Sequence, residues 1–178
     1  MDKVLYQEEQ RFDQIWMKIP LYLIAIGNVF LFGYGIYHQL KAGKPWGENP
    51  MSDTGLIVVS CFTIALWTGV FLLFQKSKLI TKITGTEIRL RYPPFFSKEK
   101  IIPIETIKMM EVRKYNPIWE FGGWGIRHGI KGKAYNVKGN IGLQIYFKNG
   151  KRLLIGTQKK DQVEWATNKL GVWRKDNN

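Results

Sequence analysis

The chain is poor in the residues that most readily reveal a chemistry. It has a single cysteine, Cys61, in 178 residues. No intrachain disulfide can form, and a thiol set in an apolar run reads as a small packing residue. Its two histidines, His38 and His128, are ninety positions apart, and no Cys or His spacing suits a metal. No metal or cofactor is therefore expected. Charge is missing from two long stretches: residues 19 to 38, IPLYLIAIGNVFLFGYGIYH, and 54 to 74, TGLIVVSCFTIALWTGVFLLF, contain no Asp, Glu, Lys or Arg. As a helix, each covers roughly the 30 Å of a hydrocarbon core.

A cleavable signal would need a basic start, a shorter apolar run and a small-residue cleavage site. The first run instead follows an acidic-leaning, aromatic segment and ends in Tyr34, Tyr37 and His38. Both runs are read as retained transmembrane helices. With no Asp, Glu, Lys or Arg to mark an ion or proton path, they form a packed anchor in this reading rather than a channel. Gly27, Gly33 and Gly69 are expected to allow close approach, and Asn28, Ser60, Thr63 and Thr68 to hydrogen-bond across the pair.

Acidic residues are outnumbered only in the second part. Residues 1 to 75 hold five Lys/Arg against six Asp/Glu, net −1, whereas residues 76 to 178 hold 22 against 8, net +14. Lys3, Arg11 and Lys18 precede the first run, and Lys76, Lys78, Lys82, Arg89 and Arg91 follow the second. The connecting loop, QLKAGKPWGENPMSD, has only Lys41 and Lys44, with Trp46 as an interfacial anchor. Cationic flanks stay on the cytoplasmic side. The expected topology is a multi-pass protein of the plasma or inner membrane with both termini cytoplasmic. A basic domain beside anionic headgroups gains roughly 1 kcal/mol per nearby Lys or Arg. The positive charge thus fits a lipid-facing domain, and nucleic acid is not called for.

Residues 1 to 18 are expected to lie in the interface. Leu5, Phe12 and Trp16 stand near helical spacing there, so the segment reads as a short helix or an extension of the first membrane helix. From residue 79 the pattern changes to short strands. LITKIT and EIRLRYP are joined by Gly85-Thr86, and IIPIETIKMMEVRKY adds one or two more, with Pro103 marking an edge or a break. IGLQIYFKNGKRLLIGT reads as a hairpin around Asn149-Gly150. A two-residue turn there would set Tyr146 opposite Leu153 and Ile145 opposite Leu154. The tail KKDQVEWATNKLGVW reads as an amphipathic helix with Val163, Ala166 and Leu170 on one face, Asp161 near its positive end and Gly171 as C-cap. The expected fold class is α+β: a two-helix transmembrane hairpin over residues 19 to 75, then six or seven strands over 79 to 173 in a small barrel or sheet capped by the terminal helix.

This order, with EEQRF at 8 to 12, GGWGIR at 122 to 127, KAYNVKG at 133 to 139 and LLIGT at 153 to 157, resembles bacterial two-helix membrane proteins that carry a PH-like domain. The resemblance spans most of the chain. It implies a PH-like fold and a membrane topology, and no reaction.

One stretch invites a site. FGGWGIRHGIKGKAYN, residues 121 to 136, holds five glycines with Arg127, His128, Lys131 and Lys133. A dinucleotide fingerprint fails because the third glycine position is His128, and a phosphate loop fails because Arg127 and Ala134 occupy required positions. Two readings stay open. Gly122, Gly123, Gly125, Gly129 and Gly132 permit positive φ and bulges while strands bend. Alternatively Arg127, His128, Lys131 and Lys133, with Trp124 or Trp119, hold a lipid phosphate or an acidic partner. A second candidate is PPFFSKEK, residues 93 to 100. There Phe95 and Phe96 would dip into the interface while Lys98 and Lys100 meet headgroups, unless the phenylalanines fill the core.

Catalysis has no visible apparatus: Cys61 has no histidine near it in the chain, and the acidic residues show no pairing signature. The expectation is a non-enzymatic protein whose basic domain is held at the anionic inner leaflet as a protein-interaction or assembly module. The alternative is a regulatory protein that senses anionic lipid, with a membrane-lipid enzyme a distant third. The identity of any protein partner and the oligomeric state are not encoded in these features.

Overall fold

A computed structural model describes residues 3–172 of the chain. Trp173, at the end of the expected domain and tail helix, lies outside the described residues. The chain divides into two compact units: Asp13–Gln75, and the residues up to Phe12 together with those from Lys76 onward.

The first unit holds helix α1 (Ile15–Ile36), which passes into a π-helical turn, Tyr37–Lys41, and α2 (Asp53–Lys76). Both are long and apolar enough to cross a membrane. Most of their large apolar side chains, such as Leu23, Phe30 and Phe62, are exposed. Ser52 starts α2: its hydroxyl accepts from the Gly55 amide at 3.2 Å and its carbonyl from the Leu56 amide at 2.9 Å. Asp53 and Lys76 sit in the first and last turns, where each suits the helix dipole.

The polar and small residues act otherwise than expected. Asn28, Ser60 and Thr63 bond back to Ile24, Leu56 and Val59 of their own helices at 3.0, 2.6 and 2.9 Å. A short side chain meets the carbonyl four residues back more easily than a neighbouring helix. Gly27, Gly33 and Gly69 face open space; the close approach belongs to Gly35, where a Cβ would stand 2.6 Å from the Trp46 ring. Tyr22 and Phe71 meet with ring centroids 5.4 Å apart, beside an apolar cleft of about 230 Å³.

The second unit is built from two open sheets. The four-stranded sheet has the order β1 (Val4–Arg11), β2 (Lys78–Thr84), β3 (Glu87–Tyr92), β4 (Phe96–Pro103), all antiparallel. The five-stranded sheet comprises β5 (Ile107–Lys114), β6 (Gly125–Gly129), β7 (Gly132–Asn136), β8 (Ile141–Phe147) and β9 (Arg152–Gly156), in the order β5-β8-β9-β7-β6. Only β7 and β9 run parallel. A 3₁₀ turn, Ile104–Thr106, follows Pro103 and ends the β4 ladder, so the chain crosses to the other sheet there. One core joins both sheets through Leu79, Ile83, Leu90, Met110, Leu143 and Ile155, and helix α4 (Lys160–Lys169) adds Val163 and Ala166. Gly171, with φ of 69°, ends α4, and Asp161 lies in its first turn.

The N-terminal segment corrects the expectation for residues 1 to 18 and the domain start at 79. Val4–Arg11 is a strand, not an interfacial helix, and it pairs with β2 from Val4↔Thr84 to Arg11↔Lys78. Its inward side is polar: Tyr6, Glu8 and Gln10 are buried while Gln7, Glu9 and Arg11 face out. Buried polar groups need partners, and apart from Gln10 Oε1 this strand finds them within itself and at the end of β9. The Glu8 carboxylate accepts from Tyr6 Oη, from Gln10 Nε2 at 3.0 Å and from the Gln158 amide at 2.9 Å. Tyr6 and Thr157 hydroxyls meet at 2.9 Å, and Gln10 Nε2 donates to the Gly156 carbonyl at 2.6 Å. Burial, then the Glu8 acceptor, pushes the Tyr6 phenol far up. On the outer side Glu9 pairs with Arg11 at 2.7 Å and with Lys78 at 3.1 Å, and these hold its carboxyl below the usual range.

The β8–β9 hairpin forms where expected but one residue out of the two-residue register. Tyr146 stands opposite Arg152 and Ile145 opposite Leu153. The Gly150 amide donates to the Phe147 carbonyl at 3.0 Å, Gly150 has φ of 79°, and Asn149 keeps a negative φ. That is a type I turn closed by a left-handed glycine, a three-residue loop.

Candidate anion-binding groove

The local fold of the glycine-rich stretch begins one element earlier. Asn116 caps a short helix, α3 (Pro117–Phe121): its Oδ1 accepts from the amides of Ile118 and Trp119, each at 3.1 Å, with Pro117 in the first turn. Gly122, with φ of 72°, closes it, and the amides of Gly122 and Gly123 donate to the Ile118 and Pro117 carbonyls at 2.8 Å. The β6–β7 hairpin follows and is pinned at its base by Asn136, which is fully buried. Asn136 Oδ1 accepts from the Gly125 amide at 2.8 Å, and its Nδ2 donates to Tyr115 Oη at 3.0 Å. Burial pushes the Tyr115 phenol up to about 12, against the opposing effect of the Asn136 donor.

At its tip the hairpin meets α3 and β9 through glycines. Gly129 packs against the Glu120 backbone, and a Cβ on Gly132 would stand 2.6 Å from the Arg152 carbonyl, at a φ of 109°. Glu120 then ties the tip to the sheet. Its Oε2 receives Arg113 Nη2 at 2.8 Å and Lys131 Nζ at 3.4 Å, and its Oε1 receives the Asn116 amide at 2.9 Å and Arg113 Nη1 at 3.3 Å. Burial alone would raise this carboxyl; Arg113, the Asn116 amide and Lys131 outweigh it and hold it down at about 2.

Between this tip, the β8–β9 loop and β4 lies a half-open groove of about 710 Å³. Lys100, His128, Lys131, Lys133, Lys151 and Arg152 line it, and no carboxylate does among the described residues. Ile130, Phe147 and Leu153 supply an apolar side, and Ile130 is 99% exposed at the rim. Two of the cations rest on aromatic rings. Lys100 Nζ donates to Tyr135 Oη at 3.1 Å and sits 5.2 Å from that ring's centroid, and the Arg152 guanidinium lies 5.7 Å from the Tyr146 centroid. Cations gathered in a concavity raise the local positive potential, although all six are solvent-exposed here.

The structure thus brings together His128, Lys131 and Lys133 from one expected set and Lys100 from the other. It does not bring in the rest. Trp124 Nε1 donates to the Gly139 carbonyl at 3.0 Å, and Arg127 Nε donates to the Trp124 carbonyl at 2.8 Å, so both serve the base of the hairpin. Trp119 is 84% exposed on α3. Phe95 is 60% exposed, whereas Phe96 packs on the core with its ring centroid 5.5 Å from Tyr135. Lys98 is exposed on β4, outside the groove. Lys151 and Arg152 were missed; the signal was present in KNGKR, a hairpin loop dense in cations. No family model matches the chain, and a search of curated proteins found no match.

Proposed function

We propose that the protein is an integral membrane protein in which α1 and α2 anchor a basic PH-like domain at the inner leaflet as an interaction or assembly module. One observation carries this reading. The strands flanking the helix pair, β1 and β2, are neighbours in one sheet from Val4↔Thr84 to Arg11↔Lys78. Segments hydrogen-bonded to each other share one side of any bilayer, so two helices between them cross it as a hairpin. The exposed apolar surface of both helices supports the same reading, since water would penalise it and lipid would not. The excess of Lys and Arg beside the sheet domain favours the inner side.

The test is labelling in whole cells with a membrane-impermeant maleimide, in a Cys61→Ser background. A cysteine at Gln7 or Lys159 should react only after lysis, and one at Lys44 should react in intact cells. The opposite pattern would sink the topology. The module role is checked by mild-detergent purification, where a partner should be retained by the full chain and lost from a variant lacking residues 79 to 178.

A further inference from the structure

We propose that the groove between the β6–β7 tip and the β8–β9 loop is a binding site for a phosphate-bearing group with two or more negative charges. This goes beyond the anchoring role and holds whether or not α1 and α2 cross a membrane.

The argument starts from unmet charge. His128, Lys133 and Lys151 make no ion pair or side-chain hydrogen bond among the described residues, although carboxylates lie on neighbouring elements. Those carboxylates are engaged elsewhere: Glu99 with Arg89 at 3.5 Å, Glu120 chiefly with Arg113, and Glu111 as acceptor for Tyr146 Oη. An ordinary solvated face intersperses both signs. Here, among the described residues, only Lys131 reaches a carboxylate, that of Glu120 at 3.4 Å, and a bound anion would meet the remaining positive charge of the groove.

Shape and chemistry narrow the anion. The volume, about 710 Å³, is that of a small-molecule site rather than of an extended polypeptide track. A phosphate concentrates two charges and three acceptor oxygens on one centre, whereas a carboxylate brings one charge. Lysines bind such a centre as point charges, and Arg152, held over Tyr146, adds a planar donor fork. Ile130, Phe147 and Leu153 leave an apolar wall for the carbon part of the ligand. The frame is held by the chain's own contacts: Gly132 against the Arg152 backbone, Asn136 at the hairpin base and Lys100 on Tyr135 fix the walls. Such preorganisation favours binding. A lipid headgroup and a soluble phosphate share this chemistry.

The experiment uses the full chain in a neutral maltoside detergent. Pyrophosphate and dihexanoyl phosphatidic acid are titrated, with citrate and dihexanoyl phosphatidylcholine as controls. At least one phosphate probe should bind saturably, about tenfold or more tighter than citrate. Lys133→Gln with Lys151→Gln should weaken it by about tenfold or more, while Lys108→Gln with Lys159→Gln, equal in charge and outside the groove, should change it by less than about twofold. Lys151→Gln alone gives the same ordering should the double variant melt lower than the parent. Pyrophosphate binding alone assigns a soluble ligand, and phosphatidic acid alone assigns a headgroup. The proposal is overturned if neither probe binds at about 10 mM, if citrate binds as tightly, or if both double variants lose affinity equally.

Discussion

Gly129 lies against the backbone of Glu120: a Cβ placed on it would stand 2.0 Å from the Glu120 carbonyl oxygen and 3.0 Å from the Phe121 Cα. Backbone cannot swing aside as a side-chain tip can, so α3 and the β6–β7 tip dock only through a residue without a side chain. Gly129→Ala should therefore lower stability by about 1–3 kcal/mol, the usual cost of overpacking. Gly85→Ala, at a position with open space and no positive φ, should stay within about 0.5 kcal/mol. Equal thermal melting of the two variants in detergent would remove the close approach.

Glu120 makes stability depend on acid. Its folded-state carboxyl sits at about 2 against an ordinary 4.5. A carboxyl lowered on folding contributes fully above its unfolded value and loses that contribution as pH falls through the folded one. Glu120→Gln should thus melt lower at neutral pH, by on the order of 2 kcal/mol. It should also lose less stability than the parent between about pH 5 and pH 3. Parallel pH profiles would contradict the Arg113 and Lys131 pairing as the source.

The two adjacent phenylalanines should separate cleanly. Phe96→Ala removes a ring packed on Tyr92 and Tyr135 and should cost about 1–3 kcal/mol. Phe95→Ala removes a ring that also meets Tyr92, at 5.9 Å, but is 60% exposed and outside the core, and should cost under about 1 kcal/mol in detergent. A larger loss at Phe95 than at Phe96 in chemical denaturation would reverse the assignment.

The sheet domain should need its first strand. A piece starting at residue 79 lacks β1, leaves β2 as an open edge and deprives Thr157 and Gln158 of Tyr6 and Glu8. Because Arg11 and Lys78 are paired, residues 4 to 11 joined to 78 to 172 by a short Asn-Gly turn should fold as a water-soluble domain. Circular dichroism should show cooperative melting for that chain and little for the piece from 79. Equal cooperativity would show β1 to be dispensable.

How much of this was legible depended on where each partner lay. The two helices were plain, since an uncharged run of membrane length needs no distant residue to be recognised. The β2, β3, β8 and β9 strands were plain too, because each alternates or runs apolar beside its own turn. β1 was not, for two reasons. Its partner begins at Lys78, beyond both helices, and its buried residues are Tyr6, Glu8 and Gln10, an inverted polarity made tenable by hydrogen bonds to residues 156 to 158. The hairpin at Asn149-Gly150 was located correctly, but its pairing turned on the sign of one φ angle, that of Asn149, which composition does not report. Of the five glycines expected to permit bends, Gly122, Gly123, Gly125 and Gly132 have positive φ, whereas Gly129 does not and serves a close approach to the Glu120 backbone instead. The groove was half-seen: His128, Lys131 and Lys133 are local to one hairpin, whereas Lys100, Lys151 and Arg152 come from other strands and only folding assembles them.

The order of synthesis runs against the order of pairing. The strand from Val4 to Arg11 leaves the ribosome before both long helices, yet its hydrogen-bonding partner is made only after them, and its side-chain partners at Gly156 to Gln158 come later still. The nascent protein must therefore carry an unmatched edge while both helices are made, and joining segments so far apart in sequence is slow. A cell making this protein has a window in which this strand is exposed to chaperones, proteases and sister chains, and the window closes only once residues 156 to 158 have been made.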